Sequence, residues 1–380
     1  MKTVFAAIAD FIRETDKILL SLIILCSGFG IVAIASATNY SAALSNKYIV
    51  QTAGVLLGIV AAIVVSLIDY KTLSQFWPIY AVISVGLVLL TFFIGVKPEG
   101  SDDRAWLNLF GGITLQPSEL LKIAFILTFA KHVSSIPEEE VGSFKNLVLM
   151  GIHGLVPIGL IVLQGDDGTV MVFGIMLVLM LFVAGVKLRY FAIMGGVLAV
   201  AIPIYWFRFM DTWQKQRFYV IFDDNYDPLG MGWQQHQSKT AIANGGIFGQ
   251  GLFNGEYTQS GAIPKGYNDC IFAAIGEELG LIGAFLVILL LGGICLRCLL
   301  ISRKARDKMG TIICIGVFAM FGGQAIINLG MCLGLLPVIG VTLPLFSAGG
   351  TSVLTLIMSL GLVLNVYAHR NKRKLTLRGR

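Results

Sequence analysis

The stretch LVLMGIHGLVPIGLIVLQGDDGTVMVFGIMLVLMLFVAGV, residues 147–186, consists of two long apolar runs joined by the short polar segment QGDDGT. Each run approaches the ~20 helical residues that are needed to cross a bilayer. Lipid offers no hydrogen-bond partner to an open backbone, so such runs predict transmembrane helices. The stretch therefore predicts two consecutive spans, with the carboxylates of Asp166 and Asp167 at their join.

The whole chain shares this apolar character. Its 380 residues are 56% hydrophobic and 13% charged, with a mean hydropathy of +0.81, whereas soluble domains carry about 25% charged residues. We therefore predict an all-α polytopic membrane protein of about ten transmembrane helices in a single integral membrane domain, residues 1–380, although nine or eleven spans also fit the hydropathy. The apolar windows lie at 18–37, 48–68, 76–96, 118–134, 147–164, 168–186, 190–207, 270–296, 311–333 and 346–368.

The basic residues predict the orientation, because cytoplasmic loops retain an excess of Lys and Arg. With ten spans both termini share one side, which would hold the run RCLLISRKARDKMG at 297–310 and the basic tail 369–380. We predict that both termini are cytoplasmic and that the first apolar run inserts the chain without being cleaved. The net charge of +6 is explained by this bias, so we expect contact with membrane lipid and no nucleic-acid partner.

Two long loops fall on the opposite, extracytoplasmic side. They cover residues 97–119 and 208–269, and the second, larger loop lies between the seventh and eighth spans. Long loops in compact proteins are usually functional, so the chemistry is expected on this side. The segment ANGGIFGQG, residues 243–251, follows no strand and precedes no Lys-Ser or Lys-Thr, which favours a tight backbone fold over a phosphate loop.

Lys122 is the first of three charged sites near membrane depth, where ionisable residues are functional candidates by default. In QPSELLKIAFIL, residues 116–127, Pro117 suits the first helical position. This start places Gln116, Glu119 and Lys122 on one helix face. Lys122 is then either a functional cation or an interfacial side chain that snorkels to the surface.

The pair Asp166 and Asp167 is the second site. An Asp at the start of a helix can cap it and is favoured by the helix dipole, which accounts for one carboxylate. Gly165 and Gly168 let the backbone approach a ligand closely, and two adjacent carboxylates could hold a divalent cation, Mg²⁺ or Mn²⁺. Both interpretations stay open at this point.

Asp269 and Glu277 form the third site, at the start of the eighth span. They are eight residues apart, so they lie on one helix face. One carboxylate at a helix start is often a cap. A second one two turns deeper needs a partner or a water-filled cavity.

Five motifs along nearly the whole chain, taken in order, resemble the SEDS family of shape, elongation, division and sporulation proteins (RodA/FtsW-like). Single motifs of this kind are modest, but five in order at similar spacing are specific. They are DDRAWLNLFGGITLQPSELLKIA (102–124), QGDDGT (164–169), QSKTAIANGGIFGQG (237–251), NDCIFAAIGEELG (268–280) and INLGMCLGLLPVIGVTLPLFSAGGTS (327–352).

The resemblance implies a peptidoglycan glycosyltransferase in the bacterial cytoplasmic membrane. It would polymerise lipid II into glycan strands at the outer face and work with a class B penicillin-binding protein, a transpeptidase that cross-links the product. The essential acidic residue of the family falls on Asp269. The family's other polar motif positions fall on Lys122, Asp166, Arg104, Trp106, Glu119, Glu277, Gln237 and Ser238.

Three departures from the family pattern accompany the match. Asn268 and Cys270 replace the Thr and Phe that flank the essential Asp, Gly165 and Asp167 replace Pro and Leu, and Ala348 replaces a Tyr. The charged motif residues are retained. We therefore expect a divergent but active member, with a weakened or regulatory paralogue as the alternative.

The implied reaction is inverting: a sugar hydroxyl attacks an anomeric carbon and a polyprenyl diphosphate leaves. One carboxylate suffices as base when the leaving group is good, and Asp269 is the candidate. Lys122 and Arg104 would offset the diphosphate charge, alone or with a cation on Asp166 and Asp167. Trp106 would stack on a sugar or anchor its loop.

Two other functional classes remain open. A flippase or ion-coupled transporter would use the same charged residues along a path through the membrane, and a scaffold would bind the penicillin-binding protein without catalysis. The absence of matched broken helices in the two halves of the chain disfavours a transporter. The sequence does not distinguish a role in elongation, division or sporulation.

Overall fold

The structure, a computed structural model, describes residues 13–97, 104–108, 114–223, 226–227, 230 and 232–370. Most of the predicted basic tail and parts of both predicted long loops lie outside the described residues. Within the described residues the fold is helical apart from two short strands, β1 (Leu107–Asn108) and β2 (Thr114–Leu115), which pair antiparallel. The predicted all-α class is therefore confirmed.

Most of the helices follow one another along the chain with short connections. Longer connections lie between residues 94 and 117, which include β1 and β2, between 208 and 271, which include three short helices, and between 332 and 350. Their bounds are α1 (Lys17–Ala37), α2 (Lys47–Leu67), α3 (Tyr70–Gln75), α4 (Trp77–Ile94), α5 (Pro117–Ser134), α6 (Phe144–Gln164), α7 (Asp167–Ala184), α8 (Leu188–Arg208), α9 (Thr212–Phe222), α10 (Trp233–Gly245), α11 (Glu256–Gln259), α12 (Ile271–Ser302), α13 (Lys308–Cys332) and α14 (Gly350–Ala368). A 3-10 turn, Glu138–Glu140, precedes α6.

Nine helices of the described chain are long and apolar enough to cross a membrane. They match every predicted window except the fourth, 118–134. That window forms α5, which carries Glu119, Lys122 and Lys131 and is therefore too polar to qualify. Most of α5 is buried against other helices, including Glu119 and Lys122, so these two charged groups are surrounded by protein rather than lipid, as expected for ionisable residues at membrane depth.

Burial differs sharply among the long helices. Most residues of α5, α13 and α14 are buried, and these helices form the centre of the bundle. Small residues permit close approach there: a Cβ at Gly361 of α14 would lie 2.6 Å from the Cα of Ala62 in α2, as is common for packed membrane helices. By contrast, α8 has no buried residue.

Helix α12 is broken at Gly280, whose φ of 66° and ψ of −162° are not helical. The glycine-rich segment 246–251 fills the break and supplies the hydrogen bonds that the helix loses there. A Cβ at Gly249 would lie 2.2 Å from the carbonyl oxygen of Glu278, so the segment needs glycine to come this close. The bonds, 2.9–3.3 Å long, run from Gln250 N to Glu277 O, Gly251 N to Glu278 O, Leu281 N to Gly246 O and Ile282 N to Ile247 O.

Candidate active site

A polar cavity of about 100 Å³ lies at the end of the bundle where α5, α7 and α12 begin; we call this the cavity end. It brings together four of the residues predicted from sequence: Trp106, Glu119, Asp166 and Asp269. The rest of its lining is Gln116, Thr169, Val172, Lys265, Asn268, Gln324 and the loop 340–342. Residues that are far apart in the chain thus converge on one polar pocket.

Asp269 sits in the wall of this cavity and is 4% exposed. The N-cap position of α12 is occupied by Cys270, and no side-chain cap bond forms there. The carboxylate of Asp269 is therefore not used as a helix cap. Its backbone carbonyl accepts a 2.7 Å hydrogen bond from Asn328 Nδ2, which also donates to Val341 O at 2.7 Å. The side chain of Asn328 thereby joins Asp269 to the opposite cavity wall.

Charge and burial act together on Asp269. Burial raises the pKa of its carboxyl above the ordinary value, because the charged form loses hydration. The Lys265 ammonium, 3.9 Å from Oδ2, acts in the opposite direction, and the Asp166 carboxylate adds to the increase. A carboxylate with a raised pKa in a cavity is suited to accept a proton.

Asp166 both caps α7 and faces the cavity. Gly165 ends α6 in the left-handed region (φ 83°), and the turn presents Asp166 Oδ1 to Thr169 N at 2.9 Å. Its other oxygen accepts a 2.8 Å bond from Gln116 Nε2. Burial raises the pKa of Asp166, and the nearby Glu119 adds to the increase. The hydrogen bonds with Thr169 and the charge of Lys122 lower the pKa. The side chain of Asp166 therefore caps α7, as one of the two interpretations made from sequence predicts, and it also lines the cavity.

Asp167 points elsewhere. Its Oδ2 accepts a 3.1 Å bond from Gln214 Nε2 of α9, and it does not line the cavity. In the part of the chain that the structure describes, no cluster of three or more His, Cys, Asp or Glu residues could hold a metal ion. Because the oxygens of Asp166 and Asp167 have separate partners, the pair does not fit a shared divalent cation.

Lys122 does not reach the surface, so snorkelling is excluded. It is fully buried, and its Nζ lies 2.8 Å from Glu119 Oε1. Glu119 lines the cavity, whereas Lys122 lies behind it. The predicted contact between Lys122 and a diphosphate is therefore not provided by this arrangement, in which the lysine neutralises a buried carboxylate.

Arg104 and Trp106, which precede β1, line different cavities. Trp106 pairs with Val96 through a backbone bridge and lines the cavity. Arg104 is exposed and lines a neighbouring cleft together with Lys97 and Gln164. Of this pair, only Trp106 is close enough to contact a ligand in the cavity.

Glu277, Gln237 and Ser238 also lie outside the cavity lining. Glu277 is fully buried and accepts hydrogen bonds from Tyr257 N, Thr258 N and Thr258 Oγ1 at 2.6–2.8 Å, so it fixes α11 against α12. Gln237 is buried on α10, where Ser238 Oγ donates to Gln234 O. These positions support the loop that leads to Asp269 rather than touching its cavity.

Sequence reasoning did not single out Lys265, Gln324 or Asn328. Lys265 is four residues before Asp269, a spacing that the sequence shows. Gln324 and Asn328 are polar residues in an apolar span, the signal that drew attention to Lys122. They were missed because neither is ionisable.

Comparison with known proteins agrees with this architecture. Residues 16–372 match the model of the FtsW/RodA/SpoVE family, described as cell cycle proteins. The chain is 31% identical over 355 residues to the peptidoglycan glycosyltransferase MrdB of Escherichia coli K12, covering 93% of this chain and 94% of that protein. It is 32% identical over 369 residues to a probable peptidoglycan glycosyltransferase FtsW of Geobacter metallireducens, covering 93% and 95%.

Solved structures show the same fold. A chain from a study of how a peptidoglycan synthase complex coordinates polymerization and crosslinking superposes with a TM-score of 0.81 at 26% identity, over 94% of this chain and 99% of that one. The rod shape determining protein RodA of Thermus thermophilus superposes with a TM-score of 0.70 at 24% identity, over 94% and 98%. The resemblance found in the sequence motifs is thus confirmed, and this multi-pass membrane chain belongs to the FtsW/RodA/SpoVE family of cell cycle proteins.

Proposed function

We propose that the protein is an inverting peptidoglycan glycosyltransferase that polymerises lipid II, a disaccharide-pentapeptide on a polyprenyl diphosphate. The observation that carries the proposal is the buried carboxylate of Asp269, which faces a polar cavity and is not used as a helix cap. The names of relatives that are 31–32% identical over more than nine-tenths of the chain support it.

The chemistry requires one base. A sugar hydroxyl in the cavity gives its proton to Asp269 while its oxygen forms a bond to the anomeric carbon of a second lipid II. The bond from that carbon to the diphosphate breaks on the opposite face, so the centre is inverted. Lys265, 34% exposed at the cavity, is the nearest described cation to Asp269 and would offset charge that develops on the leaving diphosphate.

We further propose that the cavity end faces outward from the bacterial cytoplasmic membrane and that both termini are cytoplasmic. The excess of Lys and Arg on the other side supports this orientation. A class B penicillin-binding protein is the proposed partner. The fold that this chain shares with a component of a synthase complex that coordinates polymerization and crosslinking supports the pairing.

A polymerisation assay with purified protein and lipid II, run with and without the partner, tests the proposal. We expect glycan strands and free polyprenyl diphosphate, and product formation that is insensitive to inhibitors of the unrelated soluble-domain glycosyltransferases. Transport of lipid II across vesicles without polymer would favour a flippase, and partner binding without either activity would favour a scaffold.

Asp269→Asn tests the base in the same assay. The amide keeps the shape of the side chain but cannot accept the proton, so we expect a loss of at least about 100-fold, the usual scale for general base catalysis. Asp211→Asn is the matched control, because Asp211 is an exposed residue within the same long loop and outside the cavity. Retention of most activity in Asp269→Asn would remove Asp269 from the base role.

A further inference from the structure

Gln324, at the floor of the cavity, has a side-chain oxygen without a partner. It lies on α13, is 3% exposed and lines the cavity. Its Oε1 is buried and accepts no hydrogen bond from the residues that the structure describes. A buried polar atom in this state requires an explanation, and in a residue that lines a cavity a ligand or water can supply the missing bond. None of the functional residues derived above explains it.

The backbone around Gln324 is held rigidly. One helical turn further along α13, Asn328 bonds to both Asp269 O and Val341 O. On the adjacent residue, a Cβ at Gly323 would lie 3.3 Å from Ile175 of α7, so the two helices are in contact at this depth. Gln324 is therefore fixed below Asp269 and Asp166 and is part of a preformed floor.

The chemistry of the lining indicates which part of a substrate reaches that floor. The carboxylates of Glu119, Asp166 and Asp269 are acceptors, and the buried Oδ1 of Asn268 is a second amide oxygen without a partner among the described residues. The charge of Lys122 is paired with Glu119. Lys265 is the cation of the lining, so a diphosphate is disfavoured away from it, where the carboxylates suit a group that presents O–H and N–H donors.

We propose that Gln324 is a sugar-binding residue whose side-chain amide forms a hydrogen bond with a hydroxyl or the acetamido group of the amino sugar. The ring enters the cavity with its nucleophilic hydroxyl toward Asp269, and the diphosphate stays at the mouth on the side of Lys265. This inference deepens the proposed function and rests on it. It makes Gln324 a specificity residue, because a site built to bond a polar group discriminates strongly against ligands that lack it.

Two ligands separate sugar from diphosphate in one binding experiment. Dissociation constants are measured for lipid II and for sugar-free polyprenyl diphosphate, in an Asp269→Asn background so that no turnover occurs. Gln324→Met, which keeps the length of the side chain and removes its polar atoms, is expected to weaken lipid II binding at least about 10-fold, the scale of one lost hydrogen bond in a buried site. Binding of polyprenyl diphosphate is expected to stay within about twofold.

The melting temperature distinguishes a glutamine that binds a ligand from one that only stabilises the fold. Gln324→Met is expected to keep or raise the Tm, since it removes an unpaired buried atom. Gln235→Met is the matched control: Gln235 is a buried glutamine outside the cavity that donates to Leu336 O, so its loss should lower the Tm and leave lipid II binding unchanged.

The binding results decide whether Gln324 binds the sugar, and the polymerisation assay decides the proposed function separately. Unchanged lipid II affinity in Gln324→Met would show that only water fills the floor and would overturn it. An equal loss of affinity for sugar-free polyprenyl diphosphate would also overturn it, because the residue would then face the diphosphate. If the parent protein makes no polymer in the assay described above, the proposed function fails, whereas a selective loss of lipid II affinity would still support sugar binding by Gln324.

Discussion

At the scale of single residues, Asp269 is placed between two charges that act on it in opposite directions. A base works only when deprotonated, so kcat/KM falls as the pH drops through the raised pKa of Asp269. Lys265 lowers that pKa, and Lys265→Met should therefore move the acid limb of the pH profile to higher pH. Asp166 raises it, and Asp166→Asn should move the limb to lower pH. Parallel shifts in both variants would contradict this assignment.

The ion pair of Glu119 and Lys122 allows a second prediction at this scale. Lys122→Met leaves a buried carboxylate without its partner, which costs about 3–5 kcal/mol of stability. The double variant with Glu119→Gln should recover most of that loss, as measured by unfolding in detergent. Lys71→Met is the control: its 2.9 Å pair with Asp307 leaves the lysine side chain 56% exposed, so about 1 kcal/mol or less is expected. Equal stability of the single and double variants would be the contrary result.

Single residues also show what the sequence could predict and what it could not. Asp166 was identified because its position after an apolar run and before another one fixes it at a turn. The surface exposure of Lys122 was left open, since helix position alone does not reveal neighbours: Pro117 places it about 8 Å along the helix, yet other helices surround it. Gln324 and Asn328 come close to Asp269 only through folding, from about 60 residues further along the chain.

At the scale of elements, the close packing of α10 against α12 leads to a testable prediction. A Cβ at Gly245 would lie 2.0 Å from the carbonyl oxygen of Gly276, so Gly245→Ala must push α10 away from α12. We expect a lower Tm and reduced polymerisation, because the segment that leads to Asp269 moves with it. Gly292→Ala on α12 is the control: a Cβ there meets no atom within 4 Å, so the change should be neutral or stabilising by up to about 1 kcal/mol. A harmless Gly245→Ala would show that the two helices are not packed this closely.

The long helices were predicted correctly from sequence, whereas the shared face of Asp269 and Glu277 was not, and the difference has a physical reason. Hydropathy identified the long helices because lipid imposes a length and a composition on each one separately. Glu277 was placed on a face with Asp269 by helix periodicity, but Asp269 precedes α12, and Glu277 turns toward Thr258 of α11 instead. Helix periodicity does not extend across a helix start.

At the scale of the whole molecule, the proposed orientation can be tested by labelling. Ser260→Cys lies in the long loop at the cavity end, and Lys304→Cys lies in the α12–α13 turn; both positions are exposed. In protoplasts or spheroplasts with an intact cytoplasmic membrane, a membrane-impermeant thiol reagent should label position 260 and should not label position 304. After membranes are permeabilised, both should react. The reverse pattern would place Asp269 in the cytoplasm, where the proposed reaction does not occur.

The contrast between α8 and α13 has a consequence for how each tolerates change. No side chain of α8 is buried, whereas α13 is packed on nearly all sides. Almost any apolar sequence of the right length should therefore serve for α8, while α13 has few permissible substitutions. In a library that varies every position, α8 would accumulate neutral variation fastest, and it is the span on which a probe or a tether can be mounted without disturbing the rest of the protein.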